Sequence, residues 1–209
     1  MIKGIKICGI SDLITLQYIL NHPYKPTFLG FITNYPASKR YVPHENLKKL
    51  INVDKKGVKF CSVLVNPDED VLEKIRDLPF DYYQIYDVSA ERTKYIKQKY
   101  NKKIISALTI KNKKDIDKYK LFENIADIIL FDGPGYSNSV AFDHDLIKNL
   151  PNKIVKMVAG NIKIEDIPNF QIESFIDLSK AVEISEGIKD LNKIDKLLNI
   201  VNSNIKNKW

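Results

Sequence analysis

The sequence predicts an α/β protein built as a (β/α)8 barrel with a closed parallel sheet, and three observations lead to this prediction. Short apolar runs rich in β-branched residues alternate with polar stretches of helical periodicity along the whole chain. Several runs are nearly continuous, as strands covered on both faces require. Eight runs occur, the number that such a barrel needs, although 209 residues lie near the lower end for this fold. A doubly wound open sheet would give the same local pattern and is the alternative.

Each predicted strand is one of these apolar runs, and a turn or a polar stretch separates it from the next. In chain order the strands are Ile5–Cys8, Thr27–Thr33, Lys59–Val65, Tyr82–Tyr86, Lys103–Ile110, Asp127–Phe131, Ile154–Gly160 and Ser174–Ser179. Cys61 lies in the middle of the third run, so we expect it in the core.

The segments between the strands carry helix signals. Apolar residues form one helical face in residues 68–77 and again in residues 188–201. Residues that favour helix starts come before three of the predicted helices. They are Ser11 for the first helix, Asn66-Pro67-Asp68 for the third, and Asn112 or Lys113 for the fifth.

The composition is that of an ordinary globular chain, with 44% hydrophobic and 28% charged residues. It excludes a disordered or collagen-like chain. No apolar run approaches the roughly 20 residues of a membrane helix, and the first residues lack the apolar region of a signal peptide. Two cysteines make no disulfide framework. We therefore expect a cytoplasmic protein without a membrane partner, folded as one domain over residues 1–209.

The chain is basic, with 33 lysines and arginines against 26 acidic residues and a net charge of +7. Only three of these cations are arginines, and the lysines are spread among acidic residues rather than clustered. This distribution is typical of a solvated surface and predicts no nucleic-acid partner. A positive field can also attract an anionic substrate. The oligomeric state stays open between a monomer and a homodimer.

Two candidate proton-transfer residues lie where predicted strands end, which is where barrels of this kind place their active sites. Cys8 ends the first strand and can act as a base if nearby charge lowers its pKa from about 8.5. The alternative is a small buried hydrophobic residue. Asp132 follows the sixth strand and can act as a general acid with a raised pKa. Its alternative is a turn-forming residue before Gly133.

The ends of the last two strands are candidates for a phosphate site, since barrels often bind phosphate there through backbone N–H groups. These ends are Gly160-Asn161 and Ser179-Lys180-Ala181. Lys180 can add a positive charge for a phosphate, or it can be an exposed lysine at the rim. Arg40 can hold a carboxylate or phosphate through two hydrogen bonds, or it can be a surface residue. The histidines and cysteines lack the spacing of a metal site, and no nucleotide-binding motif occurs, so we expect neither a metal nor a cofactor.

Read together, these residues resemble the phosphoribosylanthranilate isomerase family, cofactor-free barrel enzymes of tryptophan biosynthesis. The more specific parts of the resemblance are Lys6-Ile7-Cys8-Gly9-Ile10 and Ser38-Lys39-Arg40-Tyr41-Val42. Further segments match in order: Gly30-Phe31-Ile32, Val63-Leu64-Val65-Asn66, Tyr83-Gln84-Ile85, Leu130-Phe131-Asp132, Phe142-Asp143, Ala159-Gly160, Ile176-Asp177-Leu178-Ser179, Val182-Glu183 and Gly187-Ile188-Lys189-Asp190.

The resemblance implies an Amadori rearrangement of an N-phosphoribosyl aminobenzoate into the corresponding 1-deoxyribulose phosphate. Asp132 would protonate the ring oxygen of the sugar, and Cys8 would remove the C2′ proton. Arg40 would hold the anthranilate carboxylate. Asp177 joins the residues after strands seven and eight as an expected contact of this phosphosugar substrate.

Several loops depart from the family pattern. Gly160-Asn161 stands where the family usually has Gly-Gly, and Ser179-Lys180-Ala181 stands where it has Ser-Ser-Gly. Tyr86 replaces a histidine after the fourth strand, and the sixth connection, Gly133–Ala141, has lost the usual glycine-rich pattern. These changes keep a second hypothesis open, namely a divergent barrel that acts on or binds another phosphosugar.

Overall fold

Eight parallel strands close into a barrel in the computed structural model, which describes residues 2–136 and 140–206, with side chains up to Ser203. The strands are β1 (Ile2–Cys8), β2 (Phe28–Ile32), β3 (Lys59–Val65), β4 (Tyr82–Tyr86), β5 (Lys103–Thr109), β6 (Ile128–Asp132), β7 (Lys156–Val158) and β8 (Ser174–Leu178). Each strand pairs with the next, and β8 pairs with β1. The closed barrel is confirmed, and the open sheet is excluded.

The predicted strand bounds agree with the observed ones to within three residues. The largest differences are at β1, which begins at Ile2 instead of Ile5, and at β7, which is two residues shorter at each end than the run 154–160. Cys61 is fully buried in β3, as predicted. Long apolar runs predict strands well here because both faces of a barrel strand are covered.

Seven α-helices pack around the outside of the barrel in the described residues. They are α1 (Leu13–Asn21), α2 (His44–Leu50), α3 (Glu69–Ile75), α4 (Ala90–Tyr100), α5 (Lys113–Ile116), α6 (Tyr119–Phe122) and α7 (Leu191–Lys206). The connections after β6 and β7 hold 3-10 helices instead, His144–Ile147 and Ile164–Asn169. Residues 137–139 of the sixth connection lie outside the described residues.

Local sequence signals predicted the capping residues of α3 and α5 but not that of α1. Asp68 caps α3, and Asn112 caps α5 together with Asp115 in a reciprocal pair of bonds, as the sequence indicates. The first helix is capped by Asp12 rather than Ser11, since the Asp12 carboxylate accepts from the Thr15 amide at 2.7 Å. The predicted final helix begins later than residue 188.

The first residues of the predicted final helix form a strand instead. This strand, β10 (Ile188–Lys189), pairs with β9 (Glu183–Ser185) in a small antiparallel hairpin. A short 3-10 helix, Lys180–Val182, leads from β8 into this hairpin. These segments lie directly beyond the end of β8, so they form part of the wall at that end of the barrel.

Two buried clusters form the core, one inside the barrel and one between the strands and the helices. The lower interior is filled by rings, since Phe28 meets both Tyr82 and Phe175 edge to face at about 5 Å between centroids. Nearer the C-terminal ends of the strands, the interior becomes polar. None of the helices in the described ranges has the length and apolar character that crossing a membrane requires.

Candidate active site

A cavity opens at the C-terminal ends of the strands, and all nine residues singled out in the sequence line it. They are Cys8, Arg40, Asp132, Gly160, Asn161, Asp177, Ser179, Lys180 and Ala181. Because parallel strands end at one rim of a barrel, residues that are distant along the chain meet there.

Cys8 lies above a buried ion pair in the barrel interior. Lys6 and Cys8 are two residues apart on β1, so both side chains point into the barrel. The Lys6 ammonium lies 2.8 Å from Oδ2 of Asp177 on β8, and neither side chain is appreciably exposed. Burial alone would lower the pKa of Lys6, but the Asp177 carboxylate and the two nearby cysteines together outweigh it and hold that pKa above its usual value. Lys6 is therefore a permanent positive charge beside the thiol.

The protonation of Cys8 reflects two opposing effects. Burial raises the pKa of the thiol, and the Lys6 ammonium lowers it through its charge and a hydrogen bond. Burial dominates, so the pKa of Cys8 lies above its usual value. The sequence interpretation of Cys8 as a base depended on a lowered pKa, and the structure gives the opposite direction.

Gly30 on β2 makes room for this arrangement. Its register places it between Cys8 and Cys61. A Cβ atom at this position would lie 2.9 Å from both the Cys8 sulfur and the Lys6 nitrogen. Glycine at position 30 thus lets the thiol and the ammonium approach the strand closely.

Asp132 ends β6, and its side chain hydrogen-bonds a tyrosine. Its carboxylate oxygen Oδ2 accepts a hydrogen bond from the Tyr86 hydroxyl at 2.9 Å. That hydroxyl in turn accepts from Nε2 of Gln84 at 3.2 Å. All three side chains are buried. Burial and the nearby Asp132 charge raise the pKa of Tyr86 well above its usual value, so the phenol stays protonated.

Arg40 is buried, which excludes the surface interpretation. Its guanidinium donates from Nε and Nη2 to the two carboxylate oxygens of Glu183, at 2.7 and 2.8 Å. Lys189 donates to the same carboxylate at 2.8 Å. Burial would raise the pKa of Glu183, but Arg40 and Lys189 together lower it. Arg40 and Lys189 therefore share the carboxylate of Glu183 beside the cavity. Burial lowers the pKa of Lys189, and the Glu183 carboxylate opposes this effect.

The loop after β7 keeps an unusual backbone. Gly160 and Asn161 both have positive φ angles, +96° and +55°. Asparagine tolerates this left-handed conformation better than most residues with a side chain. Replacing the family's second glycine by Asn161 is therefore compatible with the same local turn. A Cβ on Gly160 would come within 3.2 Å of the Gly133 nitrogen, so the loops after β6 and β7 are in contact.

The loop after β8 is tied to the first strand. The Ser179 hydroxyl donates to the carbonyl oxygen of Cys8 at 3.1 Å. Lys180 is exposed at the rim and Ala181 is half-buried. Lys163, which the sequence interpretation did not single out, is also exposed at this rim. Two lysine side chains, Lys163 and Lys180, thus stand at the rim beside the expected phosphate site.

Further lining residues were not proposed as site residues from the sequence, although Tyr86 was noted as a departure from the family pattern. Three tyrosines stand around the mouth, with Tyr136 edge-on to Tyr86 and to Tyr35, each at 5.5 Å between centroids. The Tyr136 hydroxyl also hydrogen-bonds the Asp87 carboxylate. Lys6, Glu183 and Lys189 could have been noticed as charged residues inside or beside apolar runs. The pairs Lys6–Asp177 and Arg40–Glu183 could not, because these contacts join distant parts of the chain.

Metal ligation finds no support among residues 2–136 and 140–206, where no group of three or more His, Cys, Asp or Glu side chains is arranged to hold an ion.

Comparison with known proteins gives a consistent result. The family model described as N-(5'-phosphoribosyl)anthranilate (PRA) isomerase matches residues 5–200. The chain is 31% identical over 215 residues to the N-(5'-phosphoribosyl)anthranilate isomerase of Agrobacterium fabrum, covering 97% of this chain and 96% of the relative. It is 32% identical over 206 residues to the protein of that name from Sulfurihydrogenibium sp., covering 94% and 98%.

Solved structures agree on the fold. The phosphoribosyl anthranilate isomerase of Thermotoga maritima gives a TM-score of 0.80 at 21% identity, covering 97% of this chain and 100% of that one. Another isomerase of this name was solved in complex with reduced 1-(o-carboxyphenylamino)-1-deoxyribulose 5-phosphate, with a TM-score of 0.78 and 22% identity, covering 97% and 100%. Since the family model and the two relatives extend over nearly the whole sequence, the chain belongs to the N-(5'-phosphoribosyl)anthranilate isomerase family.

Proposed function

We propose that this protein converts N-(5'-phosphoribosyl)anthranilate into 1-(2-carboxyphenylamino)-1-deoxyribulose 5-phosphate in tryptophan biosynthesis, with Asp132 as general acid and Cys8 as general base. The observation that carries the proposal is that a thiol from β1 and a carboxyl from β6 line the same cavity. The reaction needs two proton-transfer groups around one sugar, and membership of the family supports this substrate.

Asp132 performs the first proton transfer. It protonates the ring oxygen of the ribose while the nitrogen lone pair breaks the bond between C1′ and that oxygen. The products of this step are an open-chain sugar with a new hydroxyl and a protonated Schiff base at C1′.

Cys8, as the thiolate, then takes the proton from C2′. The electron pair of that C–H bond forms a C1′=C2′ double bond and neutralises the Schiff base, which gives an enolamine. The enolamine tautomerises to the ketone. Atoms and electrons balance as an isomerisation, without an external oxidant or reductant. Each proton-transfer group can contribute a factor of about 10²–10⁴ to the rate.

Binding falls to the cationic and polar groups around the two reacting residues. Arg40 is fixed by Glu183, which also accepts from Lys189, and Arg40 holds the anthranilate carboxylate. Gly160 and Asn161 provide the phosphate site together with Ser179, Lys180 and Ala181.

Asp177 binds the sugar in this proposal. Among the described residues, none hydrogen-bonds its second carboxylate oxygen, Oδ1, which is buried at the cavity. A buried acceptor of this kind is satisfied when a ligand donates to it. The sugar hydroxyls are suitable donors. The ligand solved in a relative, a 1-deoxyribulose 5-phosphate derivative, supports this class of substrate.

The test is turnover of N-(5'-phosphoribosyl)anthranilate by purified protein, with product measured by chromatography. We expect Cys8→Ala and Asp132→Asn each to lower kcat by about 10²-fold or more. Cys61→Ala is the matched control, since it removes a buried thiol from β3 that the mechanism does not use.

An active Asp132→Asn variant would refute the acid assignment. A wild-type protein that binds phosphosugars but does not turn over this substrate would favour the divergent barrel instead. Growth of an isomerase-deficient host without tryptophan gives an independent readout.

A further inference from the structure

The Tyr86 hydroxyl is a buried polar group at the cavity that the proposed mechanism does not use. Tyr86 lies at the end of β4, and its oxygen is 2.9 Å from Oδ2 of Asp132. Gln84, two residues earlier on the same face of the strand, places Nε2 at 3.2 Å from that hydroxyl. The three polar groups form a chain that ends at the candidate acid.

The direction of these hydrogen bonds follows from the chemistry of the groups. An amide nitrogen only donates, so the hydroxyl oxygen of Tyr86 accepts from Gln84. An ionised carboxylate only accepts, so the Tyr86 hydroxyl donates its hydrogen to Oδ2 of Asp132. A proton on the Asp132 carboxyl therefore belongs on the other oxygen, Oδ1.

We propose that Tyr86 is a positioning residue for the general acid: its hydroxyl fixes Oδ2 of Asp132, places the transferable proton on Oδ1, and stabilises the carboxylate that forms when this proton reaches the sugar. A hydrogen bond to a charged acceptor is about twice as strong as one to a neutral acceptor. The bond therefore strengthens as the proton leaves, and it stabilises the transition state more than the protonated ground state. The inference rests on the role proposed for Asp132.

The residue at position 86 distinguishes the chain from the usual family pattern. The resemblance places a histidine after the fourth strand, where this chain has Tyr86. Tyrosine can donate a hydrogen bond from its hydroxyl group, and histidine can donate one from a ring nitrogen. The tyrosine ring also packs edge-on against Tyr136 at 5.5 Å between centroids, which holds the phenol in place.

The decisive variant is Tyr86→Phe, which removes the hydroxyl and keeps the ring. For enzyme with Asp132 protonated and Cys8 deprotonated, we expect kcat to fall about ten-fold, because a hydrogen bond to a charged group is lost. We expect KM to change by less than about three-fold, since Tyr86 does not itself hold the substrate in this proposal.

A second measurement is independent of turnover. In protein with ¹³C-labelled aspartate, the carboxyl signal of Asp132, assigned with Asp132→Asn, is titrated against pH. Loss of a donor to the charged form raises the pKa of an acid. We expect the Asp132 inflection to move up by about one pH unit in Tyr86→Phe.

Tyr83→Phe is the matched control. Tyr83 lies on the same strand and is fully buried, but within the described residues its hydroxyl makes only a long contact, 3.4 Å, with the Ile75 carbonyl oxygen. We expect neither kcat nor the Asp132 titration to change in this variant. Tyr86→His, which restores a donor, is expected to recover part of the loss.

Unchanged kcat and an unchanged Asp132 inflection in Tyr86→Phe would overturn the inference while the wild-type activity still supports the proposed function. A wild-type protein inactive on the substrate, with the Asp132 inflection still displaced in Tyr86→Phe, would instead refute the proposed function and leave the Tyr86–Asp132 interaction supported.

Discussion

At the scale of single residues, the proposed mechanism makes activity depend on the proton of Cys8, because Cys8 acts there as the general base. Burial raises the pKa of the thiol, and the Lys6 ammonium opposes this rise. A general base must be deprotonated, so activity falls as pH drops below the pKa of Cys8. Because this pKa is raised, kcat/KM should still be rising at neutral pH, with its inflection above the ordinary thiol value of about 8.5.

Replacing Lys6 by methionine tests this electrostatic balance. Lys6→Met removes the cation that favours the thiolate and leaves the buried Asp177 carboxylate without its partner. Both changes raise the pKa of Cys8, so the rising limb of kcat/KM should move to higher pH. For every pH unit that this limb moves, activity at pH 7.5 should fall about ten-fold. Unfolding free energy should fall by about 3–5 kcal/mol, since a buried charge loses its counterion.

Lys3→Met is the control for the same strand, because Lys3 forms an exposed ion pair with Glu173. Its pH profile should match that of the wild type. If the inflection of Lys6→Met stays where it is in the wild type, Lys6 does not influence the thiol.

The sequence allowed only some of the residues in the site to be predicted. Cys8, Arg40 and Asp132 stand out because each is a reactive or polar group at or beyond the end of an apolar run. Lys6 shares a strand face with Cys8, so the two-residue spacing could have predicted that Lys6 lies beside the thiol. That its counterion is Asp177, near the opposite end of the chain, depends on barrel closure, which no local pattern encodes.

At the scale of elements, the strands were the easiest part to predict, and the connections were the hardest. A strand covered on both faces is a short apolar run, which stands out in composition. The connections after β6 and β7 contain prolines, which interrupt α-helices, and they form 3-10 helices where others form α-helices. Their conformation follows contacts between loops, such as the approach of Gly160 to Gly133.

The start of α1 gives a sharp test at this scale, since two neighbouring residues can both cap a helix. The structure assigns the cap to Asp12, whose carboxylate accepts from the Thr15 amide. Asp12→Ala should destabilise the protein by about 1 kcal/mol, and lower Tm by about 2–4 °C for a chain of this size. Ser11→Ala should leave Tm unchanged within about 1 °C, because Ser11 is not the cap. Thermal unfolding followed by circular dichroism measures both variants, and the reverse order would return the cap to Ser11.

At the scale of the whole molecule, the prediction of one domain over residues 1–209 means that early and late parts of the chain fold together. Strand β1 pairs with β8, and the pairs Lys6–Asp177 and Arg40–Glu183 join early and late parts of the chain. Neither half of the barrel can therefore satisfy its edge strands and buried charges alone. We expect urea unfolding to give one transition, coincident when followed by circular dichroism and by tyrosine fluorescence. Two separated transitions would contradict a single domain.

The pairing of β1 with β8 also has a consequence for synthesis on the ribosome. Lys6 and Cys8 emerge early, whereas Asp177 and Ser179, which contact them, are translated late. A nascent chain that has not yet released its eighth strand therefore carries a reactive thiol and a lysine without the neighbours that bury them. The cavity can therefore be completed only after the eighth strand has been synthesised and has paired with the first.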